Sequence, residues 1–293
     1  MARWHNGAMV MHVAGDEAGL TDSALLAQAR DGDARALESL LARHQAQIYR
    51  FGLKMCRDPE DAKDVLQDTL LAFARGVREY RGESSLSTWL YSVARSYCVK
   101  KHRKSKYAPA HESSLEREAA VEVSQVADDA RGPDETLAGT EVERAFALSM
   151  SELEPMYREV LVLRDIEGLT APEVATVLGV SVQAVKSRLH RARGMLREHI
   201  APRLGITEDL PAALGTCPDV LTLFSQHLED EISATVCADM ERHLKVCARC
   251  RGACDSLRKT LSLCRTTGSA VEVPPDVQAA VKSALRMFIS ESP

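Results

Sequence analysis

Between residues 169 and 200 the chain reads LTAPEVATVLGVSVQAVKSRLHRARGMLREHI, and few folds accommodate that stretch. Thr170 and Glu173 have the spacing of a capping box, and Pro172 is tolerated in a first helical turn. Val174 and Leu178 face inward on a short helix. Gly179 supplies a left-handed stop, and Ser181 caps a second helix. In that helix Val182, Val185, Leu189, Ala192 and Leu196 share one face, with Gln183, Lys186, Ser187, His190 and Arg191 opposite. Two helices around a tight glycine turn, the second with a polar and basic outer face, match a DNA-binding helix-turn-helix. Gln183, Lys186 and Ser187 are placed to meet base edges, and Arg188, Arg191 and Arg193 to meet phosphates, with His190 among the DNA-facing residues. The alternative is a helical hairpin with a solvated face; the flanking positive charge favours DNA.

The remaining chain also reads as helices. Only 13 of 293 residues are aromatic (2 Trp, 6 Tyr, 5 Phe), so the cores are aliphatic and an all-α fold is expected. Helical patterns cover Asp22–Ala29 and Asp33–Phe51. A third helix starts at Asp58-Pro59 and runs to about Val77, and a fourth covers about Leu86 to Lys104. Residues 106–140 are polar, acidic and aperiodic, which suggests a flexible linker. Patterning resumes at Glu141 and continues to about Ile200. A cysteine-rich part follows, then a last amphipathic helix after Val273-Pro274-Pro275. The expected division is a disordered tail over 1–20, helical units over 21–105 and 141–203 flanking the linker, a small metal-binding unit over 204–270, and a C-terminal helix over 271–293. No run reaches the roughly 20 apolar residues that span a bilayer, and the first twenty residues lack the apolar core of a secretory signal. No membrane association and a cytoplasmic location are therefore expected.

The net charge of −5 hides two basic islands. Arg95–Lys106 holds six Lys/Arg and no acid, Leu178–Arg203 holds six Lys/Arg and one Glu, and Lys106–Thr140 between them holds eight acids and three bases. Two basic surfaces separated by an acidic strip suit a polyanion bound at two places. In the first island Trp89, Val93 and Tyr97 share a helical face that reads first as core. The alternative is that aromatics there, Trp89 included, meet unpaired bases while Arg95, Lys100, Lys101, Arg103 and Lys104 meet the backbone. On the preceding helix Asp61, Asp64 and Asp68 form a stripe that is either solvated surface or a dock for a basic partner.

DPEDAKDVLQDTLLAFARGVREYRGESSLSTWLYSVARSYCVKKHRK resembles region 2 of extracytoplasmic-function sigma factors. The stretch from Leu148 to Arg197 resembles their region 4, and together the two blocks cover about 100 residues in the family order. The resemblance implies a transcription initiation factor that binds core RNA polymerase and promoter DNA and has no catalytic residues. The Asp61/Asp64/Asp68 helix would dock on polymerase, Arg81–Lys104 would open the −10 element, and Ser181–Arg193 would read the −35 element. The acidic linker, longer than expected for the family, would run toward the RNA path.

Six of the eight cysteines, Cys217, Cys237, Cys247, Cys250, Cys254 and Cys264, fall within 48 residues. In a reducing compartment such a cluster points to metal or redox chemistry rather than static disulfides. His243 and Cys247 are i and i+4 on one helical face, and Cys247-x2-Cys250 wraps an ion at the helix end. This segment resembles zinc-binding anti-sigma domains, which implies Cys217 as the distal fourth ligand. One His and three Cys suit Zn²⁺; Cu or Cd is a candidate sensed ion. Cys237, Cys254 and Cys264 exceed one tetrahedral site. His227 and an i, i+4 pair of Cys250 with Cys254 leave a second or alternative site open. The surplus thiols suggest a tail that senses metal or oxidant, with no separate anti-sigma partner required. The rivals are a DNA-binding regulator acting without polymerase and a thiol-redox or metal-binding protein with incidental basic islands.

Overall fold

The structure is a computed structural model that describes residues 20–56, 58–106, 133–205, 217–266 and 271–291. Among the described residues every regular element is helical. Four helices form the N-terminal unit: α1 (Asp22–Arg30), α2 (Ala34–Met55), α3 (Pro59–Gly76) and α4 (Leu86–Lys106). Local chemistry sets their starts. Thr21, Asp33 and Asp58 accept backbone N–H groups at the first turns of α1, α2 and α3, and Pro59 opens α3. Ile48, Phe51, Val65, Leu66, Phe73, Leu90 and Ala94 are fully buried where α2, α3 and α4 meet. The α2–α3 crossing needs a glycine: a Cβ on Gly52 would lie 3.2 Å from the Ala62 Cα.

The middle unit comprises α5 (Pro133–Glu152), α6 (Pro155–Leu161), α7 (Ala171–Leu178) and α8 (Val182–Arg203), with a π-helical turn, Val162–Ile166, continuing α6. The capping box forms in both directions at Thr170 and Glu173. Gly179 takes φ +67°, and the Ser181 Oγ accepts from the Ala184 N–H at 3.1 Å. Two features depart from the sequence reading. The last part of the expected linker, 133–140, is helical: Pro133 suits a first helical position, and Asp134 and Glu135 suit the positive end of the helix dipole. Residues 107–132 and the expected tail, 1–19, lie outside the described residues. The π turn is the second departure, since apolar periodicity alone does not separate it from α-helix.

The C-terminal part holds α9 (Val220–Leu228), α10 (Ala234–Val246), α11 (Ala248–Thr266) and α12 (Pro275–Glu291). Val220, Phe224, Met240, Leu244, Cys250, Cys254 and Leu257 form a core of their own. α9 and α11 both pack on α8. Cys264, fully buried, joins the larger core that the N-terminal and middle units share. α12 returns to α2 and α3, burying Val277 and Val281, with Lys63 3.7 Å from Asp276.

The N-terminal and middle units are docked through α4 and α7. The Glu167 carboxylate, 1% exposed, accepts from Arg50 Nε at 2.8 Å and from the Tyr91 hydroxyl at 2.7 Å. Arg95 Nε donates to Glu159 Oε1 at 3.0 Å. No described helix is long and apolar enough to cross a membrane.

Candidate nucleic-acid interface and metal centre

On α8 the apolar stripe Val185, Leu189, Ala192 and Leu196 is fully buried, which turns Gln183, Ser187 and Arg191 outward to solvent. Arg188 is half-buried on the same helix. Lys186 and His190 lie on the outer side, yet both are engaged by α9 and the segment that follows it. Lys186 Nζ donates to the Glu229 carbonyl at 2.9 Å and lies 3.7 Å from Glu231 Oε1. His190 holds Ser225 Oγ at 2.8 Å through Nδ1 and Glu231 Oε2 at 2.6 Å through Nε2.

Arg193 requires a correction. Expected to hold phosphate, it is 1% exposed and faces protein. Its Nε and Nη2 donate to both Asp165 oxygens, at 2.9 and 2.7 Å, and Nη2 also reaches Glu229 Oε1 at 2.7 Å. The two carboxylates hold its pKa above the ordinary guanidinium value despite burial. Arg193 sits three residues before Leu196 and flanks the apolar stripe rather than opposing it. Asp165 lies on the π turn, whose extra backbone residue shifts the side chains that follow it.

In the first basic island two of the described cations, Arg95 and Lys101, are engaged within the protein. Trp89 is half-buried, edge-on to Phe73 at 5.4 Å and to Tyr80 at 6.2 Å. The buried face of α4 is Leu90, Tyr91, Ala94 and Cys98; the expected Trp89/Val93/Tyr97 face forms its half-buried margin. Arg95 is held by Glu159, and Lys101 pairs with Asp61 at 3.0 Å and with Asp64. These carboxylates raise the Lys101 pKa. Lys100 is exposed, 4.9 Å from the Tyr97 ring centroid, and Asp68 is exposed on α3. Arg103 lies on α4, its side chain outside the described residues.

Cys217, His243, Cys247 and Cys250 converge at the start of the C-terminal unit, their ligand atoms all within 4.8 Å of one another. The Cys217 and Cys247 sulfurs are 3.9 Å apart, close to the roughly 3.8 Å that two thiolates keep across a tetrahedral zinc with bonds of about 2.3 Å. His243 Nε2 is buried with no hydrogen-bond partner, as suits a nitrogen kept for a cation. Burial, with the adjacent Cys217 and Cys247 thiols, pushes the Cys250 thiol up to about 12, so a cation must displace protons to bind. Donor set and spacing fit Zn²⁺. The open Cys250/Cys254 alternative does not form: Cys254 is buried with its sulfur 3.9 Å from the Val220 carbonyl.

Sequence reasoning missed Ser225, Glu229 and Glu231, the residues that engage α8, and Asp165 and Glu167, which anchor Arg193 and Arg50. The run HLEDE carried the only signal, an acidic cluster between two short helices.

Comparison with known proteins agrees with this layout. The family described as "Sigma-70 region 2" matches residues 40–107, "Sigma-70, region 4" matches 143–196, and "Putative zinc-finger" matches 217–251. The RNA polymerase sigma-H factor of Pseudomonas aeruginosa is 28% identical over 187 residues, covering 62% of this chain and 95% of that protein. The ECF RNA polymerase sigma factor SigM of Mycobacterium tuberculosis is 33% identical over 178 residues, covering 60% of this chain and 83% of its own. A solved structure of CnrH in complex with the cytosolic domain of CnrY matches at 28% identity with a TM-score of 0.44, over 60% of this chain and 95% of that one. With both sigma regions in order and a zinc-finger region behind them, this chain belongs to the extracytoplasmic-function RNA polymerase sigma factors and carries a C-terminal anti-sigma-like domain.

Proposed function

We propose that this sigma factor directs core RNA polymerase to specific promoters and is held silent by its own C-terminal domain until a change in metal or thiol state releases it. In the active state Gln183, Lys186, Ser187 and His190 read one promoter element, with Arg188 and Arg191 on phosphate. Trp89, Lys100, Lys101 and Arg103 act at the element that melts, and Asp61, Asp64 and Asp68 face polymerase. The protein works in the cytoplasm, without catalytic residues and without a separate anti-sigma subunit. The working units are 21–105 and 141–203, and 204–270 is the controlling domain.

The observation that carries this reading is the capture of Lys186, His190 and Arg193 of α8 by Ser225, Glu229 and Glu231. At Lys186 and His190 the Glu229 carbonyl, the Ser225 hydroxyl and the Glu231 carboxylate take the place that DNA would occupy. Closure of the N-terminal unit on the middle unit through Glu167 and Glu159 acts in the same sense, because it holds the two DNA-reading units together. Control by metal follows from chain geometry. Cys217 lies two residues before Asp219, the cap of α9, Cys247 is the junction between α10 and α11, and Cys250 lies in the first turn of α11. Zn²⁺ bound by Cys217, His243, Cys247 and Cys250 would supply the fixed point from which α9 and its acidic loop are held. Taking a population from about 1% to 99% competent requires about 5.5 kcal/mol, within reach of the 10 kcal/mol or so of a structural thiolate site.

Run-off transcription with core polymerase tests this. The chain ending at Leu204, and full-length protein carrying Glu229→Gln with Glu231→Gln, should both transcribe where the unmodified chain does not. An unmodified chain as active as both would refute silencing. Inactivity of all three on a library of promoters would refute the initiation role itself.

A further inference from the structure

Two cysteines stand apart from the C-terminal domain, and the fold of the N-terminal unit brings them together. Cys56 caps the end of α2, and Cys98 lies on α4, 42 residues further along the chain. Both are free thiols, buried at 8% and 2% exposure, and their sulfurs are 3.3 Å apart. A disulfide holds two sulfurs at about 2.0 Å, so closing the bond asks for roughly 1.3 Å of movement shared between two side chains. The backbone around the pair is already fixed. The Cys56 N–H donates to the Gly52 carbonyl at 2.7 Å. His102, one turn after Cys98, donates from Nε2 to the Met55 carbonyl at 2.8 Å. Lys101 ties the same end of α4 to α3 through Asp61 and Asp64. α2, α3 and α4 are thus fastened to one another at the corner where the two thiols touch.

The two sulfurs are not equivalent. The hydrogen bond with Cys56, then burial, then the Glu159 and Asp61 carboxylates raise the Cys98 pKa far above the ordinary thiol value. Cys98 therefore keeps its proton and donates it toward the Cys56 sulfur, an arrangement that favours a thiolate at Cys56. Cys56 is also the less buried of the two. It is the sulfur that meets an oxidant, and Cys98 is the one placed to resolve the product.

We propose that Cys56 and Cys98 form an oxidant-driven disulfide that staples α2 to α4, independently of the cysteines in the C-terminal domain and of the silencing reading above. The oxidant is a hydroperoxide such as hydrogen peroxide. The Cys56 thiolate takes one OH from peroxide as the O–O bond breaks. The other leaves as hydroxide and picks up the proton that Cys56 released, giving water. The Cys98 sulfur then attacks the Cys56 sulfenic acid, the S–O bond breaks, and the departing hydroxide leaves with the Cys98 proton as a second water. Two thiols are oxidised to one disulfide, and one peroxide is reduced to two waters. The bond joins residues 42 apart, so it restricts the unfolded chain while the native helices stay in place.

The test treats full-length, zinc-loaded protein with a small excess of hydrogen peroxide, blocks the remaining thiols with N-ethylmaleimide, and maps tryptic peptides by mass spectrometry. Cleavage after Lys54, Arg57, Arg95 and Lys100 puts the two cysteines on short peptides, 55–57 and 96–100. These should appear joined, two hydrogens lighter than their sum, and separate on reduction with dithiothreitol. Cys56→Ser and Cys98→Ala should each abolish the joined species while keeping the helical circular dichroism of the parent; Cys254→Ser should leave it in place. Amides of α2 and α4 should exchange at least tenfold more slowly in the oxidised parent than in the reduced one. Recovery of both peptides with maleimide attached, of 55–57 as a sulfinic acid, or of either cysteine joined to a peptide from 217–264 would each overturn the pairing. A joined pair with unchanged exchange in α2 and α4 would overturn the staple. The mapping on the parent needs no variant, so it decides the pairing even where a substitution disturbs folding.

Discussion

The Arg193 guanidinium and the Glu229 carboxylate meet at 2.7 Å with both side chains only 2% exposed, and the contact joins the second helix of the helix-turn-helix to the cysteine-rich domain. Arg193 keeps a second carboxylate, Asp165, within its own unit. Arg164, on the same π turn, donates to the other Glu229 oxygen at 3.1 Å. Glu229 is therefore the group through which the C-terminal domain holds the middle unit, while Asp165 keeps the arginine satisfied when Glu229 leaves. An arrangement of this kind can open without stranding a buried charge.

The first prediction follows from that asymmetry. Glu229→Gln removes two charge-assisted contacts across the interface and leaves Arg193 paired. A loss of about 2 kcal/mol is expected, a shift of about 30-fold toward the open form. Hydrogen exchange should show reduced protection of α9 amides with unchanged protection in α2 and α3. Unchanged protection of α9 would mean that Glu229 is not the clasp.

Neighbouring arginines on α8 should separate cleanly. Arg191 is exposed, so Arg191→Ala should leave the melting temperature unchanged and weaken promoter binding by about 1–3 kcal/mol in an opened protein, with a shallower salt dependence. Arg193→Ala leaves the buried Asp165 without its cation and Glu229 with Arg164 alone, and should cost about 3–5 kcal/mol of stability. Equal effects of both substitutions on stability and DNA affinity would contradict the assignment.

These two arginines also mark how far the sequence could be read. The helix-turn-helix was legible because its signals are local: a capping box, a glycine at a left-handed position, and an apolar stripe that is buried from Val185 to Leu196, although Val182, counted with it, is exposed. Arg191 and Arg193 differ only in which flank of that stripe they occupy and in what packs there. The partner, Glu229, is 36 residues away in sequence, and the π turn that aims Asp165 leaves no mark in hydrophobic periodicity. Three of the four clustered donors, His243, Cys247 and Cys250, were legible for the same local reason, an i, i+4 pair overlapping Cys-x2-Cys, whereas Cys217 came only from the resemblance. Glu167, which joins two units through Arg50 and Tyr91, was not, because a buried glutamate looks in sequence like a solvated one.

Glu167 yields a third prediction. Burial, then the Glu167 charge, raises the Tyr91 phenol well above its usual pKa, so the hydroxyl stays a donor at any physiological pH. Glu167→Ala should cost about 3–5 kcal/mol, because Arg50 loses its partner. Arg50→Ala combined with Glu167→Ala should be less destabilising than the sum of the two single changes. Thermal melts of the four proteins check it; strict additivity would mean that the pair is not coupled.

Removal of metal should act locally. The ligands tie the segment before α9 to the α10–α11 turn, so a strong chelator should strip one zinc per chain and lower helicity by an amount confined to α9–α11. His243→Ala should bind zinc at least tenfold more weakly. The Cys250 thiol, pushed up to about 12 by burial and the adjacent thiols, means that zinc binding releases protons and weakens as pH falls. Calorimetry in buffers of different ionisation enthalpy reads this directly. A binding heat independent of buffer would show that the thiols are not the ligands.

The N-terminal unit carries its own acid sensitivity in His44. Burial depresses its pKa below the ordinary 6.5, opposed by Asp22, whose carboxylate lies 2.9 Å from Nε2. The unfolded chain therefore takes up this proton at a higher pH than the folded one does. Stability should be full above about pH 6.5 and fall as pH drops below it, through the depressed folded value. His44→Gln should flatten that part of the profile. Asp22→Asn removes the group that supports the charged form, lowers the folded pKa further and should steepen it. Urea midpoints between pH 7.5 and 5, read on α2, decide the matter. A profile that is flat in the parent, or steeper in His44→Gln, would contradict the assignment of this slope to His44.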